Sequence, residues 1–300
     1  MKKNKFKVIG ALIAVMGVSV LFYQFTTDNT ATPDVKNHVF LPMNMEFANE
    51  RVPVELIDVK ERLDREMTVN INLHSSTSLI IKRANRYFPI IEPILKKHGI
   101  PDDFKYLCVI ESALTNATSP AGARGFWQFM PGTAKEYNLE VSDTVDERLH
   151  LEKTTEAACV YLKNAYSKFG NWTLAAASYN RGIAGIERQV VAQGVNDYYD
   201  MFLNQETTRY VFRILALKEI MNNPDKYGYV FPKEALYRSV KTKVVTVENS
   251  IDDLQKWALN QGINYKILKL HNPWLIDTSL KVSDGKKYDI KIPVEGYDRR

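Results

Sequence analysis

Three hundred residues with 45% hydrophobic content can bury one sizeable core and a smaller satellite domain. The formal charge of +5 is local: Lys2, Lys3, Lys5 and Lys7 open the chain, and the remainder carries 36 Lys and Arg against 35 Asp and Glu. A body so close to neutral lacks the clustered basic surface of a nucleic-acid binder, and no nucleic-acid partner is expected. Two cysteines, Cys108 and Cys159, make no disulfide framework, and both sit in apolar helical patterns that read as buried thiols. His38, His74, His98, His150 and His271 stand far apart with no HExxH or CxxC, so neither a metal site nor a cofactor is expected.

In chain order, the basic residues 1–7 precede an apolar run over 8–25 that is about long enough to span a bilayer. Basic flanks place the amino terminus in the cytoplasm and the rest beyond the membrane. No A-x-A site follows, which favours an uncleaved anchor over a signal peptide for residues 1–27. Residues 26–53 are polar and without period, a linker. Leu56, Val59, Leu63 and Met67 then mark an amphipathic helix, so 28–75 reads as linker plus N-terminal helix. From Ser78 a helical pattern meets Pro89 and Pro93, which predicts one helix broken at Pro89, or two, closed by Gly99-Ile100-Pro101.

The next stretch is the informative one. Phe104, Leu107 and Cys108 fall at i, i+3 and i+4, and Glu111 takes the i+7 place on the same face. Tyr106, Val109 and Ile110 fill the other side, so the helix is predicted to be buried nearly all round. A carboxyl there is desolvated and its pKa raised, which suits a general acid near neutral pH. The alternative is a helix-end carboxylate that caps or reaches solvent, and periodicity alone does not decide. A polar loop over 115–125 follows, then Phe126-Trp127-Gln128-Phe129, and Thr133 with Glu136 fits a capping box that starts a new helix.

Residues 146–150 form an acidic, polar connection. Over 154–169, Ala158, Tyr161, Leu162, Ala165 and Phe169 give a helix ending at Gly170, and Asn171 can cap the next one, which Asn180 and Gly182 stop. Taken alone, Tyr179 and Asn180 read as a core aromatic and a turn residue. Glu206 precedes a helix carrying Tyr210, Ile214, Leu217 and Met221; by themselves an acid favoured by the macrodipole and a core tyrosine would explain both. After Pro232 the order is strand (240–247), helix (250–260), helix (265–271) and strand (287–292).

Glu111-Ser112-Ala113 followed by Ser119-Pro120-Ala121-Gly122-Ala123-Arg124-Gly125-Phe126-Trp127-Gln128-Phe129-Met130-Pro131 resembles the first two motifs of the lytic transglycosylases with a lysozyme-like domain, glycoside hydrolase family 23. Ala177-Ser178-Tyr179-Asn180-Arg181-Gly182 is similar to the third, and Glu206-Thr207-Thr208-Arg209-Tyr210-Val211 to the fourth, in the same order. The tail resembles a lysin motif, a module that binds N-acetylglucosamine polymers. Asn272 matches a common position there, but Asn249-Ser250 replaces the usual Gly-Asp of the first turn, which puts glycan affinity in doubt.

The resemblance implies a mainly α fold: a lysozyme-like helical catalytic domain over 76–232, then a small β-α-α-β lysin-motif-like domain over 236–296. It implies that Glu111 is the catalytic acid and then base. Ser119, Gln128, Tyr179, Asn180, Glu206 and Tyr210 would bind substrate, with Tyr179 hydrogen-bonding near the acid and Asn180 holding a sugar acetamido or hydroxyl group. Gly122 and Gly125 let the loop turn and approach the glycan, while Trp127 and Phe129 are supports in the core. The partners implied are peptidoglycan glycan strands and, through the N-terminal segment, the bacterial membrane, with a monomer acting on the periplasmic side. The rival functions are a muramidase that transfers to water and a non-catalytic wall-binding or scaffold protein.

Overall fold

The computed structural model describes residues 40–297. The expected anchor over 8–25 and half of the linker, 26–39, lie outside them; among the described residues no helix is long and apolar enough to cross a membrane.

The described part opens on an antiparallel hairpin, β1 (Met45–Phe47) and β2 (Glu50–Val52), where a plain linker was expected. Its turn puts both Ala48 and Asn49 at positive φ, as a two-residue hairpin requires, and Ala rather than Gly at the first position hides the turn from a sequence reading. The hairpin is held by its surroundings. The Ala48 amide donates to Asp103 at 2.7 Å, Phe47 packs edge-on against Phe104, and the Glu50 carboxylate accepts from the Thr173 amide and hydroxyl at 2.8 and 2.6 Å.

Helix α1 (Ile57–Asn72) buries Val59, Leu63 and Met67 as its periodicity demands, and Glu66 with them. Buried acids need partners, and Arg209 supplies a two-pronged one, Nε and Nη2 donating to the two Glu66 oxygens at 2.6 and 3.2 Å. Helix α2 (His74–Lys97) runs through Pro89 and Pro93 without interruption, against the break expected at Pro89. Tertiary packing overrides the local preference: Ile91 and Leu95 are fully buried on either side of Pro93, and the helix is held along its length. Helix α3 (Phe104–Ser112) is the buried helix expected, with Phe104, Leu107, Cys108, Val109 and Ile110 all inside. Two consecutive left-handed residues, Ala113 and Leu114, end it abruptly.

Helix α4 (Pro131–Glu136) begins two residues before the expected capping box. Met130 is its N-cap and no side chain caps it, because Pro131 at the first position needs no amide acceptor and already has helical φ. Helix α5 (Leu151–Phe169) ends as predicted but starts three residues earlier, and α6 (Trp172–Arg181) follows as predicted, with Asn171 accepting from the Leu174 amide at 2.7 Å. Helix α7 (Ile183–Gln193), not foreseen, starts at once after Gly182, and α8 (Gln205–Asn222) closes the helical body by packing on α1, α3 and α6.

The C-terminal unit is β3 (Thr242–Val247), α9 (Leu254–Asn260), α10 (Tyr265–His271) and β4 (Tyr288–Pro293), the β-α-α-β order predicted, although α9 starts four residues later than expected. The strands pair antiparallel from Thr242 opposite Pro293 to Val247 opposite Tyr288. Asn272 is a structural residue: fully buried, its amide donates to the Leu268 and Lys291 carbonyls and accepts from the Lys291 amide, tying α10 to β4. Val145, from the helical body, is fully buried in the core of this unit.

Candidate active site

Helix α3 carries Glu111 in its last turn, and the left-handed pair that follows turns the chain away, so the side chain stands at the point where helix gives way to loop. The helix's final carbonyls would be left without partners there. Two arginines take them: Arg213 donates to the Ile110 carbonyl and Arg83 to the Ala113 carbonyl, each at 3.1 Å.

Helix α8 brings the second group. Glu206, Tyr210 and Arg213 fall at i, i+4 and i+7 and share one face. Tyr210 is 2% exposed and its hydroxyl donates to Glu111 Oε1. Burial pushes the Glu111 carboxyl up to about 7; the Tyr210 hydrogen bond and the Arg213 charge pull the other way, and the Glu206 charge adds to the rise. Burial likewise raises the Tyr210 and Tyr179 hydroxyls well above their ordinary value, so both remain protonated donors.

Asn180, at the end of α6, and Glu206 are joined directly, the Asn180 amide donating to Glu206 Oε1 and accepting from the Thr207 hydroxyl, both at 2.8 Å. Tyr179 donates to the Trp127 carbonyl at 2.9 Å, so the hydrogen bond made to Glu111 itself comes from Tyr210. Tyr179 feels the Glu111 charge nonetheless, and its ring packs edge-on against Phe129 and Tyr161. Trp127 and Phe129 are buried, the supporting role expected of them, and the Trp127 indole donates to Thr155 at 2.9 Å.

The loop between α3 and α4 carries Ser119 and Gln128. Ser119 Oγ accepts from the Ala123 amide at 3.0 Å; Gln128, at φ 50°, donates its side-chain amide to the Ala117 and Gly125 carbonyls at 3.1 and 2.8 Å. No hydrogen bond among the described residues joins either to Glu111. Gly125 has a more specific reason to be glycine than approach to a ligand. At φ 83°, a Cβ there would lie 1.8 Å from the Arg148 carbonyl oxygen. Gly122, at φ 89°, faces open space.

Arg213, Arg83 and the Asp146–Arg148 pair beneath the loop were not singled out in the sequence. Arg213 could have been found from its place on the Glu206–Tyr210 face. The others join across elements that no local spacing connects. Two pockets, of about 250 and 310 Å³, open elsewhere and include none of the candidate residues. Among the described residues no cluster of His, Cys, Asp and Glu could hold a metal ion.

Residues 88–202, which carry Glu111, Ser119, Gln128, Tyr179 and Asn180, match the transglycosylase SLT domain, and residues 243–296 the soluble lytic transglycosylase C-terminal LysM-like domain. The chain thus joins an SLT domain to a LysM-like one. It is similar to the membrane-bound lytic murein transglycosylase D of Escherichia coli strain K12 and to that of E. coli O6:H1, 29% identical to each over 247 residues, or 80% of this chain. The match covers 53% of each of those relatives, so the chain spans about half their length. The SLT match stops before Glu206 and Tyr210, which the structure nevertheless brings to Glu111 and Asn180.

Proposed function

We propose that the chain is a peptidoglycan lytic transglycosylase in which Glu111 serves alone, first as general acid and then as general base. The observation that carries this reading is the Glu111 carboxyl, pushed up to about 7 and oriented by Tyr210. Near neutral pH such a group is divided between its two forms, so it can give a proton and take one back.

The oxygen linking N-acetylmuramic acid to N-acetylglucosamine takes the Glu111 proton as the bond to the anomeric carbon breaks. The substrate's acetamido oxygen supports that carbon meanwhile. The carboxylate then removes the proton of the muramoyl 6-hydroxyl, whose oxygen closes on the anomeric carbon. The product ends in a 1,6-anhydro ring, no water is consumed, and Glu111 is returned protonated. Glycosidases that use two carboxylates need the second beside the reacting carbon. Glu206, the neighbouring acid, is committed to Asn180 and acts on Glu111 through its charge. That favours a one-acid mechanism, with Ser119, Gln128, Tyr179 and Asn180 as the substrate's surroundings.

The substrate places the enzyme in the cell envelope on the periplasmic side, acting as a monomer on glycan strands, with the N-terminal apolar run as its anchor. The test is mass analysis of digested peptidoglycan. Muropeptides lighter by one water than muramidase products are expected, and Glu111→Gln should lower their release by at least about 10²-fold. Hydrated ends would mark a muramidase. Undiminished cleavage by the variant would remove Glu111 from the chemistry, and no cleavage by the parent would leave a wall-binding protein.

A further inference from the structure

The loop that carries Ser119 and Gln128 does not rest on the catalytic helices alone. It lies on the segment 140–150, through a buried ionic cluster. Asp146 is 1% exposed and accepts from the Arg148 guanidinium at Nε and Nη2 (2.9 and 2.7 Å) and from Arg124 Nη1 at 3.0 Å. Arg124 belongs to the loop. Arg148 Nη1 reaches back to the Gly122 carbonyl at 2.9 Å, and its own carbonyl fills the space that keeps Gly125 a glycine. The loop therefore has its shape from Asp146 and Arg148, residues that touch none of the proposed reacting groups.

The other side of the same segment is held by the LysM-like unit. The Asp146 amide donates to the Trp274 carbonyl at 2.9 Å, and the Ile276 amide to the Thr144 carbonyl at 3.1 Å, a short antiparallel bridge centred on Val145 and Leu275. Val145 is fully buried in that unit's core. Glu140 accepts from the Tyr288 hydroxyl at 2.8 Å and pairs with Lys286, and Lys291 pairs with Glu152 just past the segment. The connection between the units is fastened too: the Tyr237 amide donates to the Lys82 carbonyl at 3.1 Å and Arg86 Nε to the Arg238 carbonyl at 2.9 Å.

We propose that the LysM-like unit is a positioning element for the substrate loop: by clamping residues 144–146 it fixes the Asp146–Arg148 cluster, and through it the places of Ser119 and Gln128. Residue by residue, Asp146 is the positioning residue and Val145 its hinge to the clamp. Such a unit acts in the reaction even on substrate that never touches it. A glycan-binding appendage on a loose tether would instead leave the loop indifferent to its presence. The proposal rests on the reading of the loop as a substrate-binding element, and its first readout is independent of activity.

Two full-length variants loosen the clamp without touching the loop or Glu111: Val145→Ala, and Glu140→Ala with Lys291→Ala. Glu248→Gln, which removes an exposed pair with Lys287 and leaves the Val145, Glu140 and Lys291 contacts in place, is the control. Hydrogen exchange without substrate is expected to quicken at the amides of Ser119, Arg124, Gly125 and Gln128 in both clamp variants and not in the control. With a soluble peptidoglycan fragment, KM should rise about tenfold with kcat within about twofold, the pattern of lost substrate positioning. The alkaline limb of kcat/KM should stay in place, since the Tyr210 and Arg213 surroundings of Glu111 are intact. A merely destabilised enzyme would lose kcat through its inactive fraction and keep its KM. Unchanged loop exchange in both variants overturns the proposal, as does faster exchange with an unchanged KM. A parent enzyme that cuts nothing refutes the transglycosylase reading and leaves the exchange result to decide the clamp.

Discussion

At Glu111 opposing influences meet on one carboxyl, and their signs make separate predictions. Burial raises its pKa to about 7; the Tyr210 hydrogen bond and Arg213 lower it, and Glu206 raises it. If the protonated form starts the reaction, activity is lost as pH climbs through that pKa. Tyr210→Phe removes a lowering influence, so the alkaline limb of kcat/KM should move to higher pH even as the rate falls. Glu206→Gln removes a raising influence and can keep the amide partner of Asn180, so its limb should move to lower pH. The check is a pair of pH–rate profiles against the parent's. Shifts in the same direction would mean that a group other than Glu111 sets the limb. The i+7 spacing put Glu111 with the apolar face of its helix but left open a helix-end carboxylate that reaches solvent. The balance was not legible at all: the donor that bonds it is 99 residues away in sequence and the arginine beside it 102, and spacing within one helix carries no information about either.

Among the elements, helix ends marked by a capping asparagine or a terminal glycine were legible nearly to the residue, as at the end of α5 and both ends of α6. Misreadings occur where a tertiary contact or a second local signal outweighs the one read. Thr133 and Glu136 spell a capping box, yet Pro131 begins the helix first. Pro89 should stop α2, and packing carries the helix through it. The 45–52 hairpin has no alternation to betray it and is secured by Asp103 and Thr173 from elsewhere in the chain. The loop between α3 and α4 shows the same division. Its two glycines look alike in sequence and differ in structure, which gives an unequal pair of substitutions. Gly122→Ala meets only an unfavourable positive φ and should cost about 1 kcal/mol, whereas Gly125→Ala must also displace the Arg148 carbonyl and should cost about 3 kcal/mol or more. Urea denaturation of the two variants measures the difference, and equal losses would mean that the loop does not rest on Arg148 as described.

For the whole molecule, the sequence divided the chain into a helical body and a small β-α-α-β tail, and both are present. Their union was not visible. Residues 146–150 read as a polar connection because Asp146, Glu147 and Arg148 are charged, but all three are at least 95% buried, Asp146 pairs with Arg148 and Glu147 with Lys153, and the Asp146 amide bonds the Trp274 carbonyl of the LysM-like unit. Charges of that kind are stable only where every partner is in place; removing one side leaves an uncompensated buried ion, at about 3–5 kcal/mol. Burial works to raise the Asp146 pKa, yet Arg148 and Arg124 together hold it below the ordinary carboxylate range, so the cluster is ionic at the pH where the enzyme would work. The tail therefore cannot leave the body without uncovering Val145 and unpairing the Thr144 carbonyl and the Asp146 amide, about 3 kcal/mol in apolar burial and hydrogen bonds. Two units so joined should open together. Native-state hydrogen exchange is expected to give the slowest amides of β3 and β4 the same opening free energy as those of α8, within about 1 kcal/mol. A β3–β4 pair that opens several kcal/mol below α8 would describe a tail that works as a detachable wall-binding module, and the coupling between the two units would then be absent at the scale where it should be strongest.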